Sequence, residues 1–131
     1  MTVKQISVFL ENKAGRLVEL TDILSEHKDF GILRLIVDNP DKTAEILEST
    51  EFVFSVAPVL AVAIPDEPGS LSAILHVLAE NDINLEYTYA FITRKADCAY
   101  MILRVEDNEA TAIALSNQGV KLVAQADLYS L

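Results

Sequence analysis

The chain has 131 residues, 51% of them apolar, and a formal net charge of −10. That length suits one ordinary domain or two very small ones, with apolar residues enough for a core and too few biased runs for disorder. Acidic residues outnumber basic ones 10 to 6 over residues 1–60 and 10 to 4 over 61–131, which leaves no basic footprint for a phosphate backbone or an anionic membrane surface. Neither a nucleic acid nor a membrane is therefore expected as a partner.

Residues 3–10, "VKQISVFL", alternate and are β-rich, so they read as a strand. "ENKAGR" is a turn, after which Leu17, Leu20 and Leu24 recur at helical spacing, widened by Val18 and Ile23. "GILRLIV" is a short buried strand. In "DNPDKTAEILES", Asn39 is placed to cap a helix with Pro40 at its first position. "FVFSVAPVLAVAI" is one long apolar β-rich stretch, in which Pro58 marks a bend, an edge or a boundary. "PDEPGS" is a second polar turn, followed by a helix carrying Leu71, Ile74, Leu75 and Leu78. "INLEYTYAFI" and "CAYMILRVE" are strands joined by the turn "TRKAD". Asp107 is placed to cap a helix with Ile113 and Leu115, and Gly119 to end it. "VKLVAQADLYSL" closes with β-rich residues that can finish as strand, helix or loop.

This order contains a repeat. Gly15, Leu17, Leu24 and Glu26 match Gly69, Leu71, Leu78 and Glu80 at an offset of 54. Leu35, Val37 and Leu47 match Leu103, Val105 and Leu115 at an offset of 68. The two offsets differ by 14 residues, which correspond to Ile83–Ala96. Copy two thus reads β-α-β-β-α-β, the ferredoxin-like arrangement of an α+β fold, an antiparallel sheet with both helices on one face. Copy one reads the same without its second strand. Either that strand is lost, or a segment is missing from the sequence before Gly31; unpaired edge groups left by a lost strand favour omission. A copy of ~60 residues is marginal alone, and the connector is too apolar for a solvated linker. The expected organisation is a first repeat over 1–57 and a second over 58–131, packed as a pseudo-dimer.

At "ENKAGRL" and "PDEPGSL" the turn after each first strand has the form N/D-x-x-G-x-L. That turn inside a β-α-β-β-α-β unit resembles the ACT domain family, and two copies end to end resemble its small stand-alone tandem members. The resemblance covers almost the whole chain. It implies a non-catalytic regulatory module that binds small ligands, usually amino acids, often at an interface between two such domains, and hence a homodimer, with a metabolic enzyme as a possible further partner. The ligand residues it implies are Asn12, Lys13, Ala14, Gly15, Arg16 and Leu17 in copy one, and Asp66, Glu67, Pro68, Gly69, Ser70 and Leu71 in copy two.

The turn chemistry supports the same residues independently. Helix-opening N–H groups lack intrahelical partners and carry partial positive charge, so a ligand carboxylate gains there. Gly15 and Gly69 let the backbone approach a ligand and take unusual dihedrals. Asn12 or Asp66 can accept from an α-ammonium group. The structural reading stands beside this one: Asn12 and Asp66 shape turns, Pro68 starts a helix, and the glycines permit close packing. Copy one has Ala14 where copy two has Pro68, and the Asp66–Glu67 pair repels carboxylates but attracts an ammonium, so the two turns need not bind alike.

Other candidates carry less. Tyr87, Tyr89 and Phe91 alternate onto one strand face, and Tyr87 and Tyr89 can wall a groove or simply pack against a neighbouring layer. His27 suits a helix C-terminus, and His76 lies off the apolar stripe. Two distant histidines and the single Cys98 make no zinc set, so no metal and no cofactor are expected. Cys98 at a strand start reads as a small core residue rather than a nucleophile, and no nucleotide-binding or hydrolase motif is present. A lone cysteine, without a secretory leader or a membrane span, points to the cytoplasm. The alternative function is a ligand-free scaffold that docks another protein.

Overall fold

A computed structural model describes residues 2–10, 31–91 and 98–130. The elements are β1 (Val3–Leu10), β2 (Gly31–Leu35), α1 (Pro40–Glu48), β3 (Val53–Pro65), α2 (Ser70–Glu80), β4 (Leu85–Phe91), β5 (Cys98–Val105), α3 (Asn108–Asn117) and β6 (Lys121–Leu122), then a 3-10 turn over Gln125–Ser130. The expected helix over 17–24 and the turn "TRKAD" lie outside the described residues. The expected gap before Gly31 also falls outside the described residues.

The chain forms two compact units, Lys4–Ala57 and Pro58–Leu131, the latter joined by Met1–Val3. In the first, the strands stand in the order β2-β1-β3. β1 and β2 pair antiparallel with Ile6 opposite Leu35 and Val8 opposite Leu33. Alternation puts Ile6 and Val8 on one face, where Leu33, Leu35, Leu47, Phe52 and Phe54 pack against them. α1 opens as its sequence dictates: the Asn39 side chain accepts from the Lys42 N–H at 3.1 Å, and Pro40 fills a position that needs no donor.

The second unit has the ferredoxin-like order β6-β3-β5-β4. β5 runs antiparallel along one edge of β3, with Leu60 opposite Leu103 and Val62 opposite Met101. β6 takes the other edge, with Val62 opposite Leu122 and Ala63 opposite Lys121, and β4 flanks β5. Leu60, Val62 and Ile64 share a face with Met101, Leu103 and Val105, and Ile74, Leu78 and Leu115 close the core over it. Pro58, at the head of this unit, lies within a continuous β3. Its carbonyl accepts from Arg104 at 3.1 Å and from the Asn108 side chain at 3.3 Å.

Both helices of this unit end alike. After α3 the Gly119 N–H reaches the Ser116 carbonyl and the Val120 N–H the Leu115 carbonyl, each at 3.0 Å, with Gly119 at φ 78°. After α2 the same pair of bonds runs from Asp82 to Ala79 and from Ile83 to Leu78, but the left-handed position is held by Asp82, at φ 55°. At the start of α3, the Asp107 carboxylate accepts from the Ala110 N–H at 3.0 Å.

Candidate functional site

The turn Asp66–Gly69 leaves β3 at Pro65, whose register partner is Cys98. Asp66, Glu67, Pro68 and Gly69 are exposed. The Glu67 carbonyl accepts from the Ser70 N–H at 3.3 Å, and the Gly69 carbonyl accepts from the Ala73 N–H at 2.9 Å, the first bond of α2. Gly69 is the helix N-cap at φ 90°, ψ −11°, and no side chain caps the helix. As first-turn amides, those of Leu71 and Ser72 have no partner within the helix. They form an uncapped, positively polarised end. A Cβ built on Gly69 meets no atom within 4 Å, so glycine is required there by its dihedral and not by protein crowding.

A cleft of about 530 Å³ opens beside this turn. One rim is Glu67, Pro68, Gly69 and Ser70; the opposite rim is Gln118, Gly119 and Val120. The wall between them is apolar, with Ile64, Ala73, Ile74 and Val77 among its residues. Strand pairing explains why the rims meet. With Lys121 opposite Ala63 on β3, the turn leading into β6 must run alongside the turn leaving β3. The tight α3 ending at Gly119 then directs Gln118–Val120 toward it. In the sequence Gly119 is marked only as a helix cap. The available signal was that the strand after it is the fourth of its copy, which pairs the first in a ferredoxin-like sheet.

Of the residues expected in copy two, Glu67, Pro68, Gly69 and Ser70 line the cleft, while Asp66 and Leu71 flank it without lining it. Tyr87 and Tyr89 stand elsewhere. Their partners across β5 are Arg104 and Ile102, whereas Thr88 and Ala90 oppose Leu103 and Met101 of the core. The tyrosines therefore occupy the sheet face turned away from α2 and α3, with ring centroids 6.4 Å apart. Asn12, Lys13, Ala14, Gly15, Arg16 and Leu17 lie outside the described residues. Glu86, at the bulge between Leu85 and Tyr87, pairs with Arg104 at 3.4 Å. His76 is exposed, and Cys98 is half-buried at the start of β5. Among the described residues no cluster of His, Cys, Asp and Glu is placed to hold a metal ion, and no helix is long and apolar enough to cross a membrane.

The cleft joins an anionic side chain, an uncapped helix start and an apolar wall. No curated protein matches the chain. A solved structure, the crystal structure of protein BT0572 from Bacteroides thetaiotaomicron, is similar to it at 35% identity and a TM-score of 0.86, over 100% of this chain and 98% of that one. The family described as an ACT domain pair matches residues 1–131. ACT domains are regulatory modules that bind small molecules and commonly oligomerise. With this topology, this turn and these matches, the chain belongs to the family of paired ACT domains.

Proposed function

We propose that the protein is a non-catalytic regulatory module that binds a free amino acid or a related small carboxylate. The observation that carries this is the cleft between Glu67–Ser70 and Gln118–Val120. There the ligand carboxylate meets the uncapped amides of α2, and Glu67 faces its ammonium. The equivalent turn of copy one, Asn12–Leu17, is the second site of the proposal. Residues 1–57 and 58–131 are the two repeats of the proposal, in a cytoplasmic homodimer. Ligand binding shifts the assembly or the contacts with a metabolic enzyme, because a ligand stabilises whichever assembly completes its site.

Calorimetry and thermal shift across the twenty amino acids test this reading. A ligand at a hundred times its Kd adds about 2.7 kcal/mol to the folded state, enough to raise Tm by several degrees. No response to any of them at millimolar concentration, with folded protein, refutes it. The alternative, a ligand-free scaffold, draws on exposed apolar side chains: Leu71 and Leu75, one turn apart on α2, and Ile113 on α3 are 36%, 40% and 57% exposed. A partner retained regardless of amino acids in size-exclusion chromatography would favour it.

A further inference from the structure

We infer that the cleft of the second repeat selects free α-amino acids with uncharged aliphatic side chains. This rests on the function proposed above and adds the ligand's chemical class. The lining divides by chemistry. Glu67 is its one charged side chain among the described residues, and it is anionic. Among the described residues no lysine or arginine lines the cleft to neutralise a second carboxylate or a phosphate, so acidic amino acids and phosphorylated metabolites meet net repulsion from Glu67. A cationic side chain would compete with the ligand's own ammonium for Glu67 and leave one of the two charges against the apolar wall, which is costly.

What remains for the side chain is the surface of Ala73, Ile74, Val77, Ile64 and Val120. These five side chains carry no hydroxyl, amide or ring; Ser70 and Gln118, which do carry polar groups, belong to the two rims. Ile74 and Ile64 are only 2% and 6% exposed, so they form a fixed floor rather than a movable rim. Ala73, by contrast, is exposed. It lines the cleft one turn beyond Gly69, to which its N–H is bonded, so the alanine leaves room next to the zwitterion rim.

Binding of glycine, alanine, 2-aminobutyrate and valine to the intact protein measures the wall directly. Each methylene buried adds roughly fourfold in affinity. Aspartate, glutamate, lysine and arginine bind more weakly than valine. Isobutylamine and isovalerate, which lack the carboxylate or the ammonium, both lose affinity. Ala73→Leu fills the space beside the wall and weakens valine by about tenfold or more while sparing glycine; Ala79→Leu, on the same helix outside the cleft, changes neither. Should Ala73→Leu fail to fold by circular dichroism, Ala73→Val supplies the same test. Amino acids that bind without the aliphatic gradient, or with an acidic or basic one tightest, overturn this inference and leave the proposed function standing. No binding by any amino acid overturns both.

Discussion

Replacing Gly69 with alanine separates a backbone requirement from a ligand requirement. Gly69 stands at φ 90°, and an added Cβ finds no atom within 4 Å. Packing therefore contributes nothing to the cost, and the dihedral contributes all of it. A left-handed residue other than glycine costs about 1–2 kcal/mol. Alanine's smaller unfolded-state entropy returns about 0.4–1 kcal/mol of that. The net loss should be about 1 kcal/mol. At a urea dependence of about 2 kcal/mol per molar, the midpoint of the transition containing this repeat falls by roughly 0.5 M. Amino-acid affinity, measured on the folded variant, separates the roles. If Gly69 only turns the chain into α2, affinity is unchanged once the folded fraction is accounted for. If a ligand approaches the backbone there, the new methyl occupies its space and affinity falls about tenfold or more. A stability loss above about 3 kcal/mol would refute the reasoning, because it would require contacts that the open surroundings of this residue do not provide.

Four further outcomes follow from the same structure. Asp82→Gly relieves a left-handed non-glycine residue at the end of α2, and chemical denaturation should show a gain of about 0.5 kcal/mol. Asp107→Ala removes the carboxylate that accepts from the Ala110 N–H and should lose about 1 kcal/mol, most of it restored by Asp107→Ser. Leu115→Ala, at a side chain with 0% exposure in the core of the second unit, should lose about 3 kcal/mol by the same measurement. Asp41→Asn breaks a 2.9 Å pair with Lys4 whose side chains are 80% and 54% exposed; it should cost less than about 0.5 kcal/mol, and the cost should fade in molar salt.

Local features of this fold were legible because local chemistry decides them. Asn39-Pro40 and Asp107 start helices where the sequence placed those starts, since a cap needs only a side-chain oxygen two or three residues before an orphan N–H. Gly119 takes positive φ because the chain must reverse sharply into β6. Pro58 was legible only in part. Its missing donor announced a bend, an edge or a boundary, and the two units do divide at Ala57–Pro58, yet β3 continues through it. The strand is held there by its acceptor: Arg104 and Asn108, 46 and 50 residues away, satisfy the Pro58 carbonyl. No local rule locates such partners.

The candidate site divides along the same line. Its near rim was visible, because Glu67, Pro68, Gly69 and Ser70 adjoin one another in a recognisable turn. Its far rim was not, because Gln118–Val120 are set by strand register. Had β6 paired one residue out of step, Lys121 and Leu122 would have exchanged faces. Leu122, which packs on the core formed by Val62 and Leu115, would then have turned outward. The register is thus held by burial of one leucine and by the Val123 N–H on the Ala61 carbonyl at 2.8 Å, and the cleft inherits its shape from both. A substitution such as Leu122→Lys, outside the cleft, should therefore weaken amino-acid binding through the position of Gly119. Valine calorimetry on the folded variant checks it, and wild-type affinity would show that the far rim is held by α3 alone.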